Sequence, residues 1–376
     1  MTFTKNLIIG AGPAGLGIAG SLRKAGIDFE IIEQSEKIAS SWGKHYDRLH
    51  LHTVKQLSHL PHLPFPADYP TYIPKNLLIN YYEEYASQFS ITPHFNQEVI
   101  AIEKRETHWF TKTKNGESYR SENVIIATGV NRIPNCPNWP GQESFEGQII
   151  HARDYKNAKP FSDKKILVVG MGNTGAELAL DLSEQGIETY LSVRGSVSVV
   201  PRDLNGRPVQ LTGIQLAKLP FGIGDWLGNQ IRKIYLGNLE KYGLKSPKLS
   251  PAQQLKLTGK TPVIDIGTIR MIKAGKIKVV PEIDHFYPSG IVTRNDQRIE
   301  LDGLILATGY RAQIEDFLKD KIYLFNKDGL PVQPIAKGKD KGLFFIGFNN
   351  YILGGILGTI RSESELITRE LLERMN

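Results

Sequence analysis

Two glycine fingerprints in one chain constrain its fold more than any other feature: Gly10-Ala11-Gly12-Pro13-Ala14-Gly15 and Gly170-Met171-Gly172-Asn173-Thr174-Gly175. Each follows a short apolar run (Leu7-Ile8-Ile9 and Ile166-Leu167-Val168-Val169), and each opens a helix-like stretch. A lone fingerprint of this kind is weak, because glycines recur in ordinary turns. Strand, glycine turn and helix together match the dinucleotide-binding βαβ unit, where backbone N–H groups at a helix N-terminus approach a pyrophosphate. Two copies imply two dinucleotides on one molecule, the arrangement by which a flavin takes hydride from a nicotinamide.

The order of elements organises the rest. Residues 5–33 read strand, turn, helix, strand, and a Pro- and Tyr-rich stretch from Trp42 to Pro74 is too broken for long regular structure. A helix over about 75–89 and strands near 98–113 and 118–120 follow, and Val124 to Ala127 then run into Thr128-Gly129. The second βαβ unit spans about 165–194. Residues 203–260 are irregular, with one helix predicted near 225–242. Leu304-Ile305-Leu306-Ala307-Thr308-Gly309 is a second strand ending in Ala-Thr-Gly, and a strand, a glycine-rich turn and a helix to Met375 close the chain. A chain of 376 residues exceeds the size at which one core stops growing. The predicted class is therefore α/β with two Rossmann-like dinucleotide-binding domains, the second inserted into the first. The expected boundaries are 1–155 with 280–376 for FAD, and 156–279 for NADPH.

The residues closing the second strand of each unit make the two sites unequal. In the first unit this residue is Glu33, whose carboxylate suits ribose hydroxyls and repels a 2′-phosphate. In the second, Arg194 stands in its place, with Ser196 beside it and Arg202 downstream. A guanidinium pairs bidentately with phosphate, so this site suits NADPH and leaves FAD for the first.

Composition excludes several classes. Forty per cent apolar and 23% charged residues describe a globular protein. Cys136 is the only cysteine, which rules out an intramolecular disulfide or a CxxC redox pair and fits a reducing compartment, the cytoplasm. No secretory signal and no run of about 18 apolar residues is visible. The formal charge of +7 is scattered and lacks interleaved stacking aromatics, so no nucleic-acid partner is expected. No metal site is expected either: the histidines crowded at 45, 50, 52, 59 and 62 have no cysteine and only Asp47 among them. Leu216, Leu219, Phe221, Ile223, Trp226 and Leu227 could pack in a core, cover a substrate channel or touch a membrane, with core packing the plainest reading.

At this point the chain resembles the class B flavin monooxygenases, and within them the YUCCA-type branch and its microbial relatives. Phe145 to Tyr155 matches the FxGxxxHxxxY/F signature between the two fingerprints, and Ala307-Thr308-Gly309-Tyr310 matches the ATGY segment. Tyr46 to His52 and Gly259 to Gly267 are similar to segments of the YUCCA branch. The resemblance implies FAD and NADPH as cofactors, molecular oxygen and a small organic molecule as substrates, and a C4a-(hydro)peroxyflavin that transfers one oxygen atom. It implies a 2-oxo acid substrate undergoing oxidative decarboxylation; sulfide, amine or ketone oxygenation and hydrogen peroxide release stay open. It also implies that His50 to Lys55 reaches the flavin. There His52 replaces the Asn of many animal-type members, which makes His52 and Lys55 the catalytic candidates. Gln34, Trp42, Arg48, Thr128, Gly129, Thr308, Gly309 and Tyr310 complete the candidate cofactor contacts with the two fingerprints. His151 is expected to hydrogen-bond between domains, and a homodimer is compatible with the sequence.

Overall fold

The computed structural model describes residues 1–349 and 354–375. Its principal elements run β1 (Thr2–Ile9), α1 (Pro13–Lys24), β2 (Glu30–Ile32), α2 (Lys75–Gln88), β3 (Val99–Arg105), β4 (His108–Thr113) and β5 (Ser118–Ile126). They continue with β6 (Gln148–His151), β7 (Lys165–Val169), α3 (Asn173–Glu184), β8 (Glu188–Ser192), α4 (Val209–Leu216) and α5 (Ile223–Leu236). The chain ends through β9 (Ile277–Val280), β10 (Gly303–Leu306), β11 (Leu343–Phe345) and α6 (Gly355–Met375). Between Trp42 and Pro74 only two short helices form, as the proline content dictates.

The chain divides into two compact units, 1–44 with 49–133 and 310–376, and 45–48 with 134–309. The first is built on a sheet ordered β2-β1-β5-β4-β3, with β11 also paired to β5. β1 lies parallel to β2 and β5, while β3 and β4 form an antiparallel extension. Side chains alternate across β1: Ile8 packs with Leu16, Ile18 and Leu22 of α1, Tyr81 and Tyr85 of α2 and Ile367 of α6. Leu7 and Ile9 instead face Trp109, Phe317 and Phe345.

The second unit holds a five-stranded, wholly parallel sheet ordered β9-β8-β7-β10-β6. Apart from its leading Lys165, β7 is buried throughout, as a central parallel strand covered on both faces must be. A three-stranded antiparallel ribbon, 283–287, 290–293 and 298–300, packs Phe286, Ile291 and Ile299 with Leu167 and Leu304. The units part at 133/134 and 309/310 rather than at the expected 155/156 and 279/280. The reason is strand pairing: β10 and β6 continue the sheet that β7 begins, so 134–155 and 280–309 belong to the second unit. Among the described residues no helix is long and apolar enough to cross a membrane.

Candidate functional site

Both glycine turns fold alike, for the same steric reasons. Gly10 takes φ +108° and Gly170 φ +103°, where a side chain is strained, and a Cβ on either would lie 2.7 Å from a carbonyl oxygen, of Ala127 and Ala307 respectively. Gly15 and Gly175 let helix pack on strand, since a Cβ there would collide with the carbonyl of Gly10 or Gly170. The middle glycines differ: a Cβ on Gly12 or Gly172 meets nothing within 4 Å. Those two serve as N-caps of α1 and α3, and no side chain caps either helix. Each turn thus presents uncapped backbone N–H groups at the positive end of a helix to open space, the donor set a pyrophosphate needs.

Around the first turn, Pro13 occupies the opening turn of α1, where its missing N–H costs nothing. Glu33 accepts from Ala11 N–H (2.8 Å) through one oxygen and from the Ser35 N–H and hydroxyl (2.9 and 2.7 Å) through the other. The carboxylate is therefore fixed beside the turn, and Gln34 next to it is exposed. The Ala39 N–H bonds the Ala11 carbonyl (3.0 Å), which brings the segment carrying Trp42 alongside. Trp42 sits 6.3 Å from the Tyr82 ring. Ala127-Thr128-Gly129 follows β5 directly behind Gly10, and the buried Thr128 hydroxyl has no hydrogen-bond partner among the described residues. Glycines open to solvent, an uncapped helix and an orphaned buried hydroxyl fit an FAD in this unit.

The same unit carries the catalytic candidates. Lys55 donates its ammonium to the Ala67 and Tyr69 carbonyls (2.7 and 2.5 Å) and its backbone N–H to Thr71, so it braces its own loop. His52 is half-buried, and its neighbour Thr53 lies against Gly355 at the start of α6, where a Cβ would be 3.2 Å from the Thr53 methyl. Sequence reasoning missed Glu363. This buried residue of α6 accepts from the Gly347 N–H (2.8 Å) and the Asn349 amide (3.1 Å), and burial raises its pKa above the usual carboxylate value. A Cβ on Gly347 would in turn lie 3.0 Å from the Ala14 methyl. A glutamate at an inward position of an otherwise amphipathic helix was the available signal.

Around the second turn, Asn173 accepts from the Ile264 N–H (2.7 Å) and donates to the Pro262 carbonyl (3.4 Å). Residues 199–201 pair parallel with 263–265, and the Arg202 N–H bonds the Asp265 carbonyl (3.0 Å). The segment Gly259 to Gly267 is therefore the frame of this turn. The Gly170 N–H bonds the Ser192 carbonyl (3.0 Å), which sets the end of β8 beside the glycines. Arg194, two residues on, is exposed and paired with no described carboxylate; Ser196 is exposed beside it. Arg202 already has Asp203 at 2.9 Å.

Ala307-Thr308-Gly309 abuts Gly170 as Ala127-Thr128-Gly129 abuts Gly10, so each Ala-Thr-Gly belongs to one turn. Asn135 clamps it: its carbonyl accepts from the Thr308 hydroxyl (2.5 Å) and its N–H donates to Gly309 (2.9 Å). His151 makes two hydrogen bonds within the second unit. Its Nδ1 accepts from the Arg153 N–H (3.1 Å) and its Nε2 lies 3.2 Å from the Gly309 carbonyl, all within the second unit. One acceptor and one donor on opposite ring edges require the neutral Nε2–H tautomer, and burial lowers its pKa accordingly. Tyr155 donates to Asp181 (2.6 Å), and Arg48 pairs with Asp181 (3.3 Å) and Glu184 (2.8 Å). These carboxylates lie toward the C-terminal end of α3, away from its glycine turn, so Arg48 anchors 45–48 to that helix. Tyr310 opens the return to the first unit.

Residues 7–205 match the family model described as pyridine nucleotide-disulphide oxidoreductase. The chain is 39% identical to the probable indole-3-pyruvate monooxygenase YUCCA3 of Arabidopsis thaliana, over 93% of this chain and 83% of that protein. It is 37% identical to the indole-3-pyruvate monooxygenase YUCCA1 of Oryza sativa subsp. japonica, over 94% and 88%. In structure it resembles a flavin-containing monooxygenase from Stenotrophomonas maltophilia, with a TM-score of 0.76, 17% identity and full coverage of both chains. With Cys136 as its single cysteine, the chain has the oxidoreductase fold without an intramolecular dithiol.

Proposed function

The chain belongs to the YUCCA branch of the flavin monooxygenases, an NADPH- and FAD-dependent group, and from that premise we propose that its substrate is a 2-oxo acid bearing an aromatic side chain. The proposed reaction is oxidative decarboxylation. The 2-oxo acid, oxygen, NADPH and a proton give the carboxylic acid one carbon shorter, carbon dioxide, NADP⁺ and water. The bond between the ketone and carboxyl carbons breaks, and one oxygen atom enters the new carboxylate. The observation that carries this reading is identity of 37–39% with indole-3-pyruvate monooxygenases across more than nine-tenths of the chain.

Bound FAD supplies hydride acceptance and oxygen activation. The protein's part is positioning. In the first unit, the uncapped N-terminus of α1 and the N–H groups of Gly12 and Ala14 receive the FAD pyrophosphate, and the Glu33 carboxylate stands ready for ribose hydroxyls. The Thr128 hydroxyl, without a partner among the described residues, would find one in the cofactor. In the second, Gly172 and the α3 N-terminus would receive the NADPH pyrophosphate, and Arg194 and Ser196 would hold the 2′-phosphate. His52 would donate a hydrogen bond toward the flavin, while Lys55 holds its own loop through the Ala67 and Tyr69 carbonyls. The chain's single cysteine suits the cytoplasm.

The test is NADPH consumption by purified holoenzyme against aromatic and aliphatic 2-oxo acids, ketones, sulfides and amines, with product mass followed under ¹⁸O-labelled oxygen. An acid one carbon shorter carrying one labelled atom supports the proposal. Labelled sulfoxide or N-oxide with no turnover of 2-oxo acids overturns it.

A further inference from the structure

The segment from 209 to 260 in the second unit has a feature that flavin chemistry does not use. α4 has no buried residue, and α5 buries only Gly224 and Leu236, although both helices are rich in apolar side chains. The plain expectation of core packing for this region is overturned. Leu219, Ile223 and Trp226 are exposed, the last at 61%; Leu216 and Leu227 are half-buried, and the Phe221 side chain lies outside the described residues. Along α5, Ile223, Trp226, Leu227, Ile231 and Ile234 recur at helical spacing, which puts them on one stripe. Ile234 is 84% exposed. A stripe this apolar is not left to water without a partner.

Charge identifies the partner. Residues 209–260 carry eight basic and two acidic side chains, a net +6 of the chain's +7. Seven of the eight are exposed lysines, and none pairs with a described carboxylate. The other flank of α5 adds to this field: Asn229, Arg232 and Lys233, with Ser246 and Lys248, line a cavity of about 270 Å³ that has no acidic side chain in its wall. Among the described residues the Arg232 guanidinium there bonds Asn229 alone, and burial lowers its pKa. A second copy of the chain is a poor occupant, because two-fold pairing through this stripe would bring both sets of unpaired lysines together. We propose that this face docks on an anionic phospholipid surface, with α5 in the plane of the headgroups, its apolar stripe among the acyl chains and the surrounding lysines at the phosphates. The enzyme would then act on substrate at, or partitioned into, a membrane.

Full-length holoenzyme is sedimented with vesicles of phosphatidylcholine alone, and of phosphatidylcholine mixed with phosphatidylglycerol. Binding to the mixed vesicles, lost in high salt, is expected. Ile234→Ser should weaken it about tenfold or more, and each of Lys233→Gln and Lys248→Gln by about fivefold. Flavin content and NADPH oxidation in solution should be unchanged in all three variants, which shows that they fold. Quenching of tryptophan emission by brominated lipid should disappear in Trp226→Phe. No sedimentation with the mixed vesicles, or equal binding to both kinds, overturns the proposal. So does a concentration-dependent dimer that Ile234→Ser dissociates.

Discussion

Gly172→Ala separates cofactor binding from folding more cleanly than any other substitution in this chain. Gly172 has φ −89° and ψ −173°, extended backbone that alanine adopts without strain, and its added methyl meets no protein atom within 4 Å. Stability should therefore move little: the entropy gained by restricting the unfolded chain and the poorer N-cap offset each other to within about 0.5 kcal/mol. That corresponds to roughly 2 °C or less in Tm. The methyl projects instead into the space where a pyrophosphate would meet the α3 N–H groups. Losing one charge-assisted hydrogen bond there costs about 1.5–3 kcal/mol, or roughly a tenfold to hundredfold weaker NADPH. Gly175→Ala is the counterpart, since its methyl would strike the Gly170 carbonyl, backbone that cannot swing aside. It should lower Tm by several degrees, whatever the ligand. The assay pairs thermal melts with the NADPH dependence of flavin reduction in single turnover, FAD content serving as the control. A Gly172→Ala enzyme with native NADPH affinity, or one that melts as early as Gly175→Ala, would refute the assignment of this turn.

Arg194→Ala should raise the KM for NADPH about tenfold while leaving that for NADH nearly unchanged; equal changes in both would remove the 2′-phosphate contact. His52→Ala should keep NADPH oxidation but release more hydrogen peroxide per turnover, and full coupling of NADPH to product would sink its role. Glu363 has its pKa raised by burial, so above about 4.5 the native state holds a proton that the unfolded chain has released. Its stability contribution is present below that value and is lost as pH rises through the native pKa. Glu363→Gln removes this dependence, so Tm of the variant should gain on wild type as pH rises through that window. Identical pH–Tm curves would show that Glu363 is not buried as an acid.

The βαβ units were legible because their signals are local. A glycine turn is fixed by contacts between residues close in sequence or by one strand-end carbonyl, and the Glu33/Arg194 contrast needs only the count from turn to second strand. The unit boundaries were not legible. They depend on β10 pairing with both β7 and β6, contacts more than 130 residues apart in sequence for β7 and more than 150 for β6, and hydrophobic runs carry no address for a partner strand. The same blindness hid one partner of His151. Its motif marked it as polar and special, but its acceptor is the Gly309 carbonyl, delivered by the strand that pairing brings alongside. Arg48 has ion-pair partners that its sequence neighbourhood does not announce. Asp181 and Glu184, one turn apart on α3, both pair with its guanidinium. The Arg48 pairs were not readable because a cation facing a helix must be weighed against every carboxylate that helix presents. The polar contacts hidden from sequence reading here, the Gly309 carbonyl for His151 and the Asp181 and Glu184 carboxylates for Arg48, are partners that only the fold supplies.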